Sequence, residues 1–128
     1  MISLLNATYA MLASQHSRVY YEVVRKDPVT NEPPPYPYVV YNFATDSTPS
    51  SDAINHILEV DIWDRPSNGD QTTIETLTDQ IDKHLRGQRV LDVNQLLIFT
   101  RISKLPLNDP DHIIKRRQLR YQIKRYER

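Results

Sequence analysis

Seven stretches of the chain carry apolar residues at a regular period, and polar or proline-rich segments separate them. Residues 2–14 place Leu4, Leu5, Tyr9 and Leu12 near a helical spacing, which predicts a short amphipathic helix. RVYYEVV (18–24) is rich in β formers and predicts a strand; the polar RKDPVTNEPPPYP behind it predicts a loop. YVVYNFAT (38–45) is apolar on both alternating faces and predicts a central strand covered on both sides. DSTPSSDA (46–53) has the composition of a loop. In NHILEVDIWD (55–64), His56, Leu58, Val60 and Ile62 alternate with Ile57, Glu59, Asp61 and Trp63, the pattern of a half-buried strand.

RPSNGDQ breaks the chain ahead of a helix. Thr72 or Thr73 is the expected cap, with Glu75 three residues after Thr72 completing a capping box. Ile74, Leu77, Ile81 and Leu85 form one stripe, and Gly87 is the expected C-terminal cap. LLIFTRIS (96–103) predicts a strand and KLPLNDPDH a loop. In KRRQLRYQIKRYER (115–128), Leu119, Tyr121 and Ile123 point one way, while Gln118, Arg120, Gln122 and Lys124 point the other. The basic residues therefore belong to a strand face. The order α-β-β-β-α-β-β predicts an α+β domain: a mixed, mostly antiparallel β-sheet flanked by an N-terminal helix and one amphipathic helix.

Composition narrows the picture. With 128 residues, 39% hydrophobic and 25% charged, the expectation is a single domain over 1–128. Two glycines against nine prolines argue against a glycine-rich phosphate loop. The lack of cysteine excludes disulfides, thiol nucleophiles and thiolate metal sites. No apolar run approaches the ~20 residues that cross a bilayer, so no membrane partner is expected. MISLLNATYAMLA has no basic leader and reads as a structural helix rather than a signal peptide. The neutral net charge hides a split: a balance of −6 through Ile114 and of +6 from Lys115 onward. Two unlike surfaces would let like subunits attract one another.

Candidate chemistry is sparse. His16, His56, His84 and His112 are scattered, with no i+4 histidine pair of the helical zinc type, and each reads as an ordinary surface or satisfied histidine. Glu59 and Asp61 share a strand face ~7 Å apart, near enough for a metal or an acid–base pair. The alternative is that they form the polar side of a half-buried strand, paired across it with Arg116, Arg120 and Lys124. The basic strand, with Arg117, Arg125 and Arg128, could also meet a phosphate backbone, with Tyr121 and Tyr126 stacking on bases. Tyr121 falls on the apolar face, however, and the chain has no net positive charge. The three-serine loop at 46–53 is either a mobile hairpin connection or an arm that orders on a partner. PPPYP (33–37) has the form of a docking peptide, yet it runs straight into a predicted strand. Proline is best tolerated just before a strand, which favours a lead-in over a displayed ligand.

The layout resembles the tail-completion, or tail-terminator, proteins of long-tailed bacteriophages and prophages. The stretches that carry the resemblance are RVYYEVV, the proline-preceded PYVVYNF, ILEVDIWD with its polar turn, TIETLTDQIDKHL and RRQLRYQIKRYER. The most specific is the EVDIW strand followed by an amphipathic helix about ten residues on. The resemblance implies a structural virion protein without cofactor or covalent chemistry. Such a protein forms a ring, commonly of six subunits, at the head-proximal end of the tail tube, where it stops polymerisation and offers the capsid connector a docking surface. Its implied partners are further copies of itself, the tail tube protein and the head–tail connector or neck proteins. Within that expectation, Arg116, Arg120 and Lys124 are candidates for one side of the subunit interface and Glu59 and Asp61 for the other. Asp46, Ser47, Thr48, Ser50, Ser51 and Asp52 are the candidate loop for reaching the tube. A head-completion or neck protein, a small nucleic-acid-binding module and a metal-dependent enzyme on Glu59 and Asp61 are the alternatives.

Overall fold

The alternation in NHILEVDIWD and RRQLRYQIKRY builds the centre of the sheet. In the computed structural model, which describes residues 2–24, 26, 28–46 and 53–127, these stretches form β3 (Ile54–Asp64) and β6 (Lys115–Glu127). They pair antiparallel in an unbroken register from Ile54–Arg125 to Asp64–Lys115. The remaining elements are α1 (Ile2–Ala13), β1 (Val19–Tyr21), β2 (Tyr38–Asp46), α2 (Thr72–Leu85), β4 (Arg89–Leu91) and β5 (Gln95–Leu107). The six strands lie in the order β1-β2-β3-β6-β5-β4, and only the β1–β2 pair is parallel. This is the expected α+β fold with a mixed, mostly antiparallel sheet and two helices.

Both helices pack on one face of the sheet. Leu58, Val60 and Ile62 of β3, Leu119, Tyr121 and Ile123 of β6, and Leu97 and Phe99 of β5 meet Ile74, Leu77, Ile81 and Leu85 of α2 and Leu4 and Leu12 of α1 in one cluster. Each fully buried aliphatic side chain contributes ~1.5–3 kcal/mol by leaving water. The α2 stripe is the predicted one. On α1 the buried line is Leu4, Thr8 and Leu12, at i, i+4 and i+8; Tyr9 points outward instead of joining it.

Several boundaries differ from expectation, each for a local reason. β1 ends at Tyr21 rather than at residue 24, because Glu22 takes a positive φ of 66° and the Val23 N–H turns back to the Tyr21 carbonyl at 2.8 Å. β2 is covered on both sides over Tyr38–Tyr41, where all four residues are buried. It lies second from the edge, however, rather than at the centre. No capping box forms on α2. Its N-cap is Gln71, without a side-chain bond, and Asp70 instead accepts from the Thr72 backbone at 2.9 Å and hydroxyl at 2.7 Å. Gly87 follows the C-cap with φ +75°, as its type allows, and its N–H bonds to the Phe99 carbonyl of β5 at 3.1 Å.

The short edge strand β4 carries no periodic signal. β5 runs four residues past its predicted end, through Lys104, Leu105, Pro106 and Leu107, which the composition assigns to a loop. Pro106 fits because β4 pairs with β5 only from Leu96 to Ile98, so beyond that β5 is an edge strand, where a missing N–H costs little.

The proline stretch leads into β2 as expected. The Tyr36–Pro37 bond is cis, and the Pro37 carbonyl accepts from His16 Nε2 at 2.9 Å and Arg18 Nε at 3.0 Å.

Candidate functional site

Because α1 and α2 occupy one face, the other face of the sheet carries no helix among the described residues. The strand period places Glu59, Asp61 and Trp63 of β3 there, beside Arg120, Gln118 and Arg116 of β6 in direct register. The candidate charged residues of both groups therefore share one open face of one subunit.

They also meet one another. Gln118 Nε2 donates to Glu59 Oε2 at 2.9 Å and to Asp61 Oδ1 at 3.2 Å, bridging the two carboxylates. Arg120 Nε lies 3.9 Å from Glu59 Oε2. Arg116 stacks its guanidinium 3.9 Å over the Trp63 ring. Lys124, opposite Asn55, is exposed, and among the described residues neither it nor Arg116 forms an ion pair. Burial holds the Asp61 carboxyl above its ordinary range, with nearby Glu59 adding to the rise. The Gln118 hydrogen bond and the Arg116 charge pull it back down.

One end of this face is an aromatic ladder that the sequence does not announce. Tyr36 stacks on Tyr38 with ring centres 5.0 Å apart, and Tyr38 on Trp63 at 6.0 Å, with Arg116 above. Burial, together with the Tyr36 hydroxyl, raises the Tyr38 phenol well above its usual range. Tyr38 opposite Trp63 and Trp63 opposite Arg116 is a register relationship across three strands, invisible until the strands are paired.

Two of the basic residues assigned to the charged face lie on the other side. Arg117 and Arg125 share the core face with Leu119, Tyr121 and Ile123, and both are buried. Arg117 donates to Glu75 and Gln71 around the start of α2. Arg125 donates to His56 Nε2 at 3.1 Å and to Glu127 at 2.8 Å. They serve as polar fasteners at the two ends of the core, so of the described arginines and lysines named for this strand, Arg116, Arg120 and Lys124 are left to a phosphate site. Tyr121 is fully buried, which removes it as a stacking platform.

Asp46 is the last residue of β2. Ser47, Thr48, Ser50, Ser51 and Asp52 lie outside the described residues, as does Arg128. Among the described residues no group of three or more His, Cys, Asp or Glu is placed to hold a metal ion, and the Glu59–Asp61 pair has an amide and two guanidinium groups around it instead. Among the described residues no helix is long and apolar enough to cross a membrane.

The comparisons agree with this architecture. A chain from the virion of a native gene transfer agent particle superposes with a TM-score of 0.63 at 17% identity, over 93% of this chain and 86% of its own length. A second solved chain superposes with a TM-score of 0.68 at 10% identity, covering 98% and 95%. At these identities the likeness is one of fold. No functionally curated protein matches the sequence significantly. The family model described as tail completion protein gp17 matches residues 1–125, nearly the whole chain, and the protein belongs to that family of structural phage tail-completion proteins.

Proposed function

We propose that this chain caps the head-proximal end of a phage tail tube as a ring of like subunits, six being the number the family resemblance suggests. The ring ends tube growth and presents the surface on which the capsid connector docks. Its place is the head–tail junction of the virion, and its partners are its own copies, the tail tube protein and the connector or neck proteins. It works by contact alone, without cofactor.

The observation that carries this reading is the open sheet face. Arg116, Arg120, Lys124, Glu59, Asp61 and Trp63, with Tyr36 and Tyr38 at one end, form a broad surface that carries Arg, Trp and Tyr, the residue types that dominate interface energetics. We assign this face to the contacts made with other virion proteins, and the segment from Asp46 through Asp52 to the tube. The likeness to a chain from an assembled particle supports a place in the virion. Because Glu59 and Asp61 are bridged by Gln118 and Glu59 lies beside Arg120 within the subunit, the charge split does not by itself supply two opposed surfaces.

The test is the mass of the purified chain in solution, alone and mixed with tail tubes. A ring, either free or formed on the tube tip, is expected. A chain that stays monomeric and does not bind tubes would sink the reading. A head-completion or neck protein one layer higher would also form assemblies, but would bind the connector and leave bare tubes unoccupied.

A further inference from the structure

Apart from Val29 and Ile113, which lie in loops, the exposed large apolar side chains of the described residues concentrate at opposite edges of the sheet. On one side Ile2 and Tyr9 of α1 and Val23 just past β1 are 74%, 49% and 67% exposed. On the other, Leu91 of β4, Val93 beyond it and Ile102 of β5 are 66%, 85% and 50% exposed. β2, β3 and β6, which separate these edges, contribute none among the described residues.

The first patch has a second mark. Residues 1–17 contain no Asp, Glu, Lys or Arg, in a chain that is 25% charged. A helix facing only water carries charge on its outer side. Protein interfaces deplete charge at their centre and enrich tyrosine there.

Strand addition does not explain either edge. The Tyr21 carbonyl is already occupied by Val23, and the exposed length of β5 is interrupted by a register shift between Arg101 and Ser103 and carries Lys104 and Pro106, all devices that discourage pairing. With β4 only three residues long, contact on these edges falls chiefly to side chains. Glu22 is exposed beside the first patch and Arg89 beside the second, which offers one pair of opposite charges at the rim of such a contact.

We infer that the α1–β1 side of one copy packs against the β4–β5 edge of the next. Two unlike patches on opposite edges cannot cover each other within one subunit. Joining them between subunits gives a heterologous contact, the kind that closes into a ring. This deepens the ring reading above and rests on it.

The cysteine-free sequence makes a clean test. A chain carrying Tyr9→Cys and Val93→Cys, oxidised mildly after assembly, should give a ladder of covalent oligomers that ends at the subunit number of the ring. Each single variant should give no ladder. Tyr9→Glu and Ile102→Glu, both at exposed positions, should each keep the wild-type circular dichroism spectrum and lose ring mass at least tenfold at equal concentration. Rings of normal mass from both glutamate variants, or an oxidised double variant that stays uncrosslinked within intact rings, would overturn this interface while leaving the ring standing. A wild-type chain that never exceeds monomer mass, even on tail tubes, would overturn the ring and this interface with it.

Discussion

The Tyr121 hydroxyl donates to one oxygen of Asp82 at 2.7 Å, and Arg101 donates to the other at 2.9 Å, so the midpoint of β6 is tied to α2 through a carboxylate that is only 5% exposed. Burial and the Asp82 charge hold the Tyr121 phenol far above its usual range, so it remains a donor at any working pH. Tyr121→Phe keeps the ring in the core and leaves one Asp82 oxygen without its partner. A bond to a charged group is worth ~1.5–3 kcal/mol, and since Arg101 still holds the second oxygen, the loss should fall at the lower end, ~1.5 kcal/mol. Urea unfolding at neutral pH reads this as a lower midpoint with an unchanged slope. An unshifted midpoint would show that Asp82 does not anchor the helix.

The sequence makes the core of this fold legible because its signals are periodic. Ile74, Leu77, Ile81 and Leu85 could only be one helix face, and Leu119, Tyr121 and Ile123 only one strand face. What stayed hidden depends on pairing. Arg117 and Arg125 have the parity of Leu119 and Tyr121, so alternation alone would have put them on the core face, yet their charge grouped them with the exposed stripe. Their burial becomes intelligible once Glu75 and Gln71 are seen above Arg117, and His56 beside Arg125. Likewise Glu75 reads as half of a capping box from its distance to Thr72, but the ion pair with Arg117 holds it elsewhere. The open face was legible as a list of residues. That Gln118 bridges Glu59 and Asp61, and that Trp63 joins a ladder from Tyr36 to Arg116, required the register.

Asp61 gives a pH prediction with a definite sign. Its carboxyl is raised in the folded state, chiefly by burial, so the folded chain binds this proton more tightly than the unfolded one. The group therefore contributes favourably while protonated, and its contribution is lost as pH rises through the ordinary carboxylate range to the raised value. Asp61→Asn keeps an acceptor for Gln118 and removes the buried charge. Its melting temperature should exceed that of the wild type at pH 7, and the difference should vanish as pH falls below the ordinary carboxylate range. Melting curves across pH 3–8 test this; a variant less stable than wild type at neutral pH would mean that Arg116 outweighs the cost of burial.

The outer edge of β5 should be guarded against strand addition by its own residues rather than by a neighbouring strand. Lys104 is held by Asp79 at 2.6 Å, and Pro106 removes a backbone donor beyond the end of β4. Pro106→Val restores the donor and adds a β-branched side chain on an edge whose only ladder partner is β6. The variant should fold, yet light scattering on warming should show self-association beginning several-fold below the wild-type concentration threshold. Adding Lys104→Val should lower that threshold further. Equal scattering from all three chains would mean that the register shift at Arg101–Ser103 protects the edge without help.

Arg120→Glu separates the two surfaces assigned to this protein. Arg120 lies on the open face with Nε 3.9 Å from Glu59, and reversing it sets a third carboxylate beside Glu59 and Asp61. The side chain is 39% exposed, so its ion pair is worth little to folding and the monomer should keep its structure. The apolar edges assigned to subunit contact are untouched, so ring mass should also be unchanged. Joining of heads to tails should fall about tenfold or more, equivalent to ~1.4 kcal/mol of docking free energy. Arg116→Ala supplies the contrast: it leaves Glu59 with Arg120 and removes the guanidinium from Trp63 and from beside Asp61, so any loss of joining there reports that end of the face and not the Arg120–Glu59 pair. If Arg120→Glu disperses the rings but spares joining by the subunits that remain, the open face is the lateral contact and the apolar edges must serve the tube or the connector.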